Sequence, residues 1–590
     1  MAMPQDKIAK LAYEGKYDAA LKACHDNIPD IDRSQFGSFI TGYCYFHLGR
    51  NQEAATAFDR ALKLAPKDSH TMYYTVLATV AAGNSRAALR FAAHHVANWP
   101  SAFDSNEFKG ILEKGIQVIS IVEDEELCVA FRRSVEIAWP NIPAELQVEW
   151  LYAIEGVGRA REHVAALNAE AQNTSLMAFA PIVSVSEAVE HGNGAFKARF
   201  PAETIQFAHF KGAPFADTRS EATAITGNEG YVATLDDVIV CGVSGAVLGK
   251  DGSFISDNYA HREFHQYVDM RADNLVLRSF GRSALIKKIK VDREIDTAIN
   301  LSGVASNHFG HWFSEYLPRL RHFESVYQAA NLPILVNEDM PQSHFDLLAA
   351  VCENPVIRVG RTEAVRVKNL WVAPTITFYP FDLKPGHDVP IERQACWSAA
   401  AMAYLRSKVL EKPNFVAPPT EQVAHEAPVE HQSNWFASPF SYLRERVFSK
   451  LGLVAPQFPS AIYLSRKNSS WGRPANEDEF LKDLKCKHIW PVYLEHMSFK
   501  QQVRTLQSAS IIVAPTGSAL NMLVFARPDA RILIFSQRFP HNWGGWVGPI
   551  QELGILPQVA MMNEGSQSSK HAAFNMRLDV LEAWLSEETA

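Results

Sequence analysis

The 590-residue chain contains no Cys-x-x-Cys pair, no His-Glu-x-x-His segment, no run of about 18 apolar residues and no excess of basic charge. Its seven cysteines, Cys24, Cys44, Cys128, Cys241, Cys352, Cys396 and Cys486, are scattered and odd in number. That usage argues against a disulfide framework or a zinc site and for reduced, buried thiols. Without a long apolar run there is no candidate for a membrane-spanning helix. The opening MAMPQDKIAKLAYEG has no charged segment leading into an apolar one, so the expected compartment is the cytoplasm. With 57 basic against 65 acidic residues and a net charge of -8, the chain lacks the basic footprint of a nucleic-acid-binding protein. What it does have is the composition of an ordinary globular protein, 47% hydrophobic and 21% charged, at a length too great for one core.

The N-terminal third repeats itself. Gly15, Gly49 and Gly83 recur every 34 residues, with Ala20, Ala54 and Ala88 in the same frame and Pro66 and Pro100 closing the second and third units. In GYCYFHLGRNQEAATAFDRALKLAPKD, Gly42, Tyr45, Ala54, Phe58, Ala61 and Pro66 fall where a tetratricopeptide repeat places such residues, and the region resembles three of these repeats. Two antiparallel helices cannot bury their apolar faces alone. Small Gly42 and Ala54 allow close approach, Phe58 fills the gap, and stacked neighbours complete the core. Such an array offers a surface to a protein partner or to a second copy. The pattern stays helical to about residue 190.

Around Phe196 the period shortens to alternation. YVATLDDVIVCGVSGAVLGKDGSFISDN reads as short strands, with Ser244-Gly245 and Asp251-Gly252 as hairpin turns. Beyond it, INLSGVA, PILVNE, VIRVG and VKNLWVAP, then AIYLSR, IWPVYL, IIVAP and RILIFS, alternate with helical segments. That alternation predicts two parallel sheets, each covered on both faces and binding ligands beyond its carboxyl edge. The stretch Glu411 to Pro439, rich in proline and polar residues, reads as a linker or surface loop.

Three segments carry chemistry. In SNHFGHWFSEYLPRLRHF a helix starting near Asn307 would set His311 and Glu315 one turn apart on a single face, and Pro318 would kink or restart it with Arg319 at the bend. No third ligand accompanies that pair, so no metal is expected. In YLSRKNSSWGRPANEDEF, Arg466 and Lys467 follow a strand, Arg473 lies in the next loop, and Asn476 caps a helix whose acidic first turn meets its dipole. In IIVAPTGSALNMLVFA a strand, a turn and a helix opening near Ser518 form a ready anion site, with Gly517 letting a phosphate reach the backbone.

In this order and spacing, NHFGHWFSEYLPRL, YLSRKNSSWGRPANEDEF and APTGSALNMLVFARPDA resemble the motifs of glycosyltransferase family 61, over roughly Tyr231 to Ser536. The resemblance implies a two-lobed GT-B fold and inverting transfer from a nucleotide sugar, commonly uridine-linked, to a hydroxyl of a glycan or protein, with no cofactor and no metal. Carried onto this sequence, it implies donor contacts at Asn307, Arg319, Arg466, Lys467, Arg473, Asn476, Thr516, Gly517, Ser518 and Asn521. His311 and Glu315 are left as candidates to deprotonate the acceptor. Thr516 departs from the family, which has histidine there. Threonine can hydrogen-bond a phosphate or ribose but cannot act as an imidazole.

The expected organisation is therefore multidomain. It comprises tetratricopeptide repeats at 1–105, a helical connector at 106–190, a small β-rich unit at 191–296, an α/β lobe at 297–410, a linker at 411–440, and a donor-binding α/β lobe at 441–590. The competing expectation is a non-catalytic scaffold, repeats attached to a degenerate transferase domain.

Overall fold

A computed structural model describes residues 5–28, 31–102, 105–170, 177–208, 215–216, 222–227, 229–257, 270, 273–375, 397–412, 415, 458–467, 474–536, 544–562 and 574–586. Arg473, Cys396 and all of the expected 411–440 linker except 411, 412 and 415 lie outside these residues. Two compact units emerge: residues 1–179 with 277–288, and residues 180–276 with 289–590.

The first unit is a run of antiparallel helices: α1 (Gln5–Tyr13), α2 (Tyr17–Asn27), α3 (Gln35–His47), α4 (Asn51–Leu64), α5 (Ser69–Ala81), α6 (Ser85–Asn98), α7 (Asn106–Ile119), α8 (Glu125–Ala138), α9 (Ala144–Glu155) and α10 (Val157–Glu170). The recurrent glycines close the turns inside the first three pairs, Gly15 at φ 79°, Gly49 at 73° and Gly83 at 76°. Only glycine enters that left-handed region without strain, which is why the spacing of 34 survives in them. Phe58 is fully buried against Gly42, where a Cβ would lie 2.8 Å from its ring. Helices α5 to α10 share one core, running from Met72 and Leu89 through Ile111 and Phe131 to Val164, so the helices after residue 105 pack as a continuation of the repeats.

The second unit carries two large sheets and a two-stranded one, Thr204–Ala208 paired with Ala222–Thr226. In the first, β1 (Gly230–Cys241), β2 (Arg293–Asn300), β3 (Ile334–Asn337), β4 (Val356–Val359) and β5 (Ala364–Val372) lie in the order β4-β3-β2-β5-β1. All neighbours are parallel except β5 and β1, so the strands expected as a separate β-rich unit extend this sheet. In the second, β6 (Ala461–Leu464), β7 (Trp490–Val492), β8 (Ile511–Pro515), β9 (Arg531–Ser536) and β10 (Pro557–Met561) are all parallel, in the order β7-β6-β8-β9-β10. Continuous apolar runs such as Ile512, Val513 and Ala514 are fully buried, as strands covered on both faces require.

Some local expectations change. Gly252 takes φ 80° at the Asp251-Gly252 turn, but at the other turn Val243, at φ 60°, supplies the positive angle instead of Gly245. Cys24, Cys44 and Cys241 are buried free thiols, whereas Cys486 is exposed. No described helix is long and apolar enough to cross a membrane.

Candidate functional site

One core unites the two sheets of the second unit, and the segment that joins them is the one crowded with titratable side chains. Trp312, Phe313, Tyr316, Leu317, Leu320 and Phe323 repeat at helical spacing and are all buried in that core. They fix a helix from Phe309, after the N-cap position at His308, to Glu324. The helix therefore starts two residues later than the expected Asn307, which is exposed just ahead of it.

Its turns are not uniform. Trp312–Tyr316 form a π turn, closed by the Leu317 N–H donating to the Trp312 carbonyl, and Leu317–Arg319 a 3-10 turn. Proline explains the change. Pro318 has no N–H for the fourth carbonyl back, Ser314, and its ring would press on that carbonyl. Widening the preceding turn relieves both demands, so the helix changes its winding at Pro318 where a kink was expected.

Glu315 lies in the π turn with only 2% of its side chain exposed, and His311 Nδ1 stands 2.7 Å from its Oε1. A carboxylate so buried needs a partner, and the imidazole one turn earlier supplies it. With Glu315 ionised, the shared proton belongs on Nδ1, which leaves the basic lone pair of the ring on Nε2. The His308 ring lies 5.3 Å from that of His311. Crowding by the protein, then the neighbouring His311 and Arg466, push the His308 pKa down.

Arg466 arrives from the second sheet. It follows β6, while Thr516 and Gly517 follow the adjacent β8. Because β7 lies on one side of β6 and β8 on the other, this is where the strand order reverses and a crevice opens. Glu477, in the first turn of the helix Glu477–Cys486, is buried and fixes the arginine's backbone. Its Oε1 accepts from the Tyr463 hydroxyl at 3.0 Å, the Ser465 hydroxyl at 2.8 Å and the Arg466 N–H at 2.8 Å. Burial and the neighbouring Glu477 charge raise the Tyr463 pKa well above its ordinary value, so the phenol stays a donor. The Arg466 guanidinium donates to the Thr516 carbonyl at 3.2 Å and lies directly over Gly517.

The helix expected beyond Gly517 runs from Ser518 to Phe525 and is wound as a 3-10 helix. Its first amides still have no acceptor within the helix, so the site retains its donors. Asn521 is 7% exposed; its Nδ2 donates to the Ser518 carbonyl at 3.1 Å, and its Oδ1 meets no donor among the described residues. Nδ2 also sits 3.5 Å from the position a Cβ on Gly310 would take, and Phe313 meets Phe525 edge-on at 5.9 Å. The start of the His311 helix thus rests on the Ser518–Phe525 helix, next to the crevice that holds Arg466.

Of the residues expected at the site, His311, Glu315, Arg466, Thr516, Gly517, Ser518 and Asn521 gather here, with Asn307 at its rim. Arg319 does not: it turns into a separate cavity of the first sheet. Lys467 pairs with Asp478 at the surface, 2.6 Å apart and half-exposed. Asn476 sits at the N-cap position without capping; its carboxamide instead clasps the Met576 backbone, donating to the carbonyl at 2.7 Å and accepting from the N–H at 2.8 Å. Two participants were not anticipated: His308, quoted within the motif but given no task, and Glu477, read only as an acid facing a helix dipole. Among the described residues no group of three or more His, Cys, Asp or Glu side chains could hold a metal ion.

Residues 309–533 match the family model described as Glycosyltransferase 61. This stretch of Glycosyltransferase 61 type includes His311, Glu315, Arg466, Gly517 and Asn521, and bears out the resemblance read from the three motifs. Over 83 residues the chain is 30% identical to the tetratricopeptide repeat protein 30 homolog of Drosophila pseudoobscura pseudoobscura, an alignment covering 14% of this chain and 12% of that protein. The chain thus spans only about an eighth of that relative's length. Solved structures of MamA AMB-1 (15% identity, 29% of this chain, 96% of the other, TM-score 0.21) and of MamA 41-end from Desulfovibrio magneticus RS-1 (17% identity, 30% and 100%, TM-score 0.21) are also similar.

Proposed function

We propose that this chain is an inverting glycosyltransferase of GT-B form, moving a sugar from a nucleotide diphosphate donor, UDP-linked by the family resemblance, to an acceptor hydroxyl. The family match supports the transferase class. The observation that carries the mechanism is the His311–Glu315 pair, on a helix whose start rests beside the crevice of Arg466 and Gly517.

In this reading the donor diphosphate lies against the Arg466 guanidinium and the first amides after Gly517, where fixed donors meet negative charge. Asn521 adds a carboxamide from the same helix, and Thr516 a hydroxyl for phosphate or ribose. The acceptor oxygen attacks the anomeric carbon from the face opposite the nucleotide. Its proton passes to His311 Nε2, the bond from the anomeric carbon to the phosphate oxygen breaks, and the electron pair leaves on the diphosphate. Glu315 orients the imidazole and stabilises the imidazolium that forms, the part a buried carboxylate plays for a histidine base. Of the two base candidates, the geometry favours His311, since Glu315 is nearly sealed and already bonded to it.

The helical repeats are assigned to holding a protein partner or a second copy of the chain. Thr516 in the histidine position gives the scaffold reading its one supporting observation. Incubation of the full chain with a panel of nucleotide sugars and mixed glycan acceptors, followed by detection of free nucleotide and of the product anomer, separates the two. Release of one nucleotide with inverted product supports the transferase; binding and turnover of none leaves the scaffold.

A further inference from the structure

A cavity of about 60 Å³ opens in the first sheet, and none of Arg466, Gly517 or Asn521 lines it. It sits beyond the carboxyl ends of the adjacent strands β2 and β5, between Asn300 and Ser302 on one side and Val372 to Thr375 on the other. Since β3 flanks β2 on its far side, this is the strand-order reversal of the first sheet, as the Arg466 crevice is of the second.

Its walls carry built polar groups. Arg319 donates through Nε to the Glu315 carbonyl at 3.0 Å and through NH2 to the Thr375 hydroxyl at 2.7 Å, with its guanidinium 4.7 Å from the Tyr316 ring centre. Those bonds engage two of the roughly five N–H groups of a guanidinium and hold the remainder in place. Asn300 Oδ1 accepts from the Ser302 N–H at 3.0 Å and its hydroxyl at 2.7 Å, presenting Nδ2 as a further donor. Asp257 accepts from the Val185 N–H at 2.8 Å and from the Tyr231 hydroxyl, which sets a carboxylate across from these donors.

We infer that this cavity binds the hydroxyl edge of one sugar unit of a glycan acceptor. A hydroxyl both donates and accepts, so it suits a wall that pairs guanidinium and carboxamide donors with a carboxylate. A phosphate would meet the Asp257 charge. A cavity this size holds roughly four water-sized groups, enough for one edge of a sugar ring and too few for a nucleotide. The Arg319 guanidinium reaches back to the Glu315 carbonyl, one turn after His311 and about 6 Å along the helix axis.

The inference rests on the transferase reading, and its test reads the two apart. Isothermal titration of the full chain with UDP and, separately, with maltotriose, cellotriose, xylotriose and N,N′,N″-triacetylchitotriose is repeated on Asp257→Asn and on Ala373→Leu, which fills the cavity from its wall. At least one trisaccharide should bind the unaltered chain, and both variants should weaken it tenfold or more while UDP affinity stays within twofold. Unchanged trisaccharide affinity in a folded Ala373→Leu protein, or UDP binding with no trisaccharide bound, overturns the cavity assignment alone. Absence of UDP binding as well overturns the transferase reading with it.

Discussion

A Cβ placed on Gly517 would fall 1.1 Å from the NH1 nitrogen of Arg466, a separation no side chain permits. The turn after β8 and the arginine after β6 are therefore fitted to one another, and a side chain at position 517 would have to push the guanidinium aside. Gly517→Ala should displace the guanidinium and weaken UDP binding about tenfold or more, since a charge-assisted contact contributes about 1.5–3 kcal/mol. Calorimetric titration checks this, with circular dichroism showing an unchanged fold.

The His311–Glu315 pair predicts a different signature. His311→Ala should lower kcat by about 10²–10⁴, the usual contribution of a general base, while leaving donor affinity nearly unchanged. Glu315→Gln keeps the shape but removes the charge that orients and stabilises the imidazole, so it should lower kcat by less than His311→Ala. Steady-state assays with separate measurement of donor Kd distinguish this from a binding defect.

Glu477 is expected to act on stability as well as on the donor. Its Oε1 serves three donors, Tyr463, Ser465 and the Arg466 backbone, two of them on buried residues. Glu477→Ala should cost roughly 3 kcal/mol or more, because each stranded buried donor costs about 1–3 kcal/mol. Denaturant unfolding would show the loss, and Glu477→Gln, which keeps an acceptor, should restore part of it.

Acid should destabilise the second unit in a defined window. Burial lowers the pKa of both His322 and His344 to about 4 from 6.5. The unfolded chain therefore takes up protons at these sites before the folded chain does. Their neutral burial costs nothing above pH 6.5, and stability falls as pH drops from 6.5 towards 4, by up to roughly 3 kcal/mol for each histidine. His344 also stacks on Trp312 at 6.2 Å, beneath the His311 helix. His344→Gln should flatten the pH dependence of unfolding between pH 6.5 and 4 relative to the unaltered chain.

Much of this architecture was legible in the sequence because it follows from short-range rules. The 34-residue glycine period marked turns that need positive φ, and uninterrupted β-branched runs marked strands buried on both faces. Arg466 and Gly517 were readable because each lies just past such a strand. What escaped depended on tertiary placement. Nothing in the local pattern told Asn476 to bind the Met576 backbone 100 residues away instead of capping its helix. Nor did it mark Glu477 as the anchor of Arg466 rather than a dipole-facing acid. The composite winding of the His311 helix was half visible: Pro318 predicted an interruption, but only the packing of Trp312, Phe313 and Tyr316 in one core decided that the chain would widen a turn instead of breaking. Nor did the motif tell Arg319 to bond the Glu315 carbonyl and the Thr375 hydroxyl beside the first sheet, away from the Arg466 crevice.

In the proposed reaction a nucleotide diphosphate binds between Arg466 and the backbone after Gly517, within reach of the His311 helix. A crystal structure of the full chain soaked with UDP tests it most directly. The distal phosphate should lie within hydrogen-bonding distance of the Arg466 guanidinium and the Ser518 amide, on the side facing His311. Nucleotide bound elsewhere, with Arg466 still closed onto the Thr516 carbonyl, would contradict it.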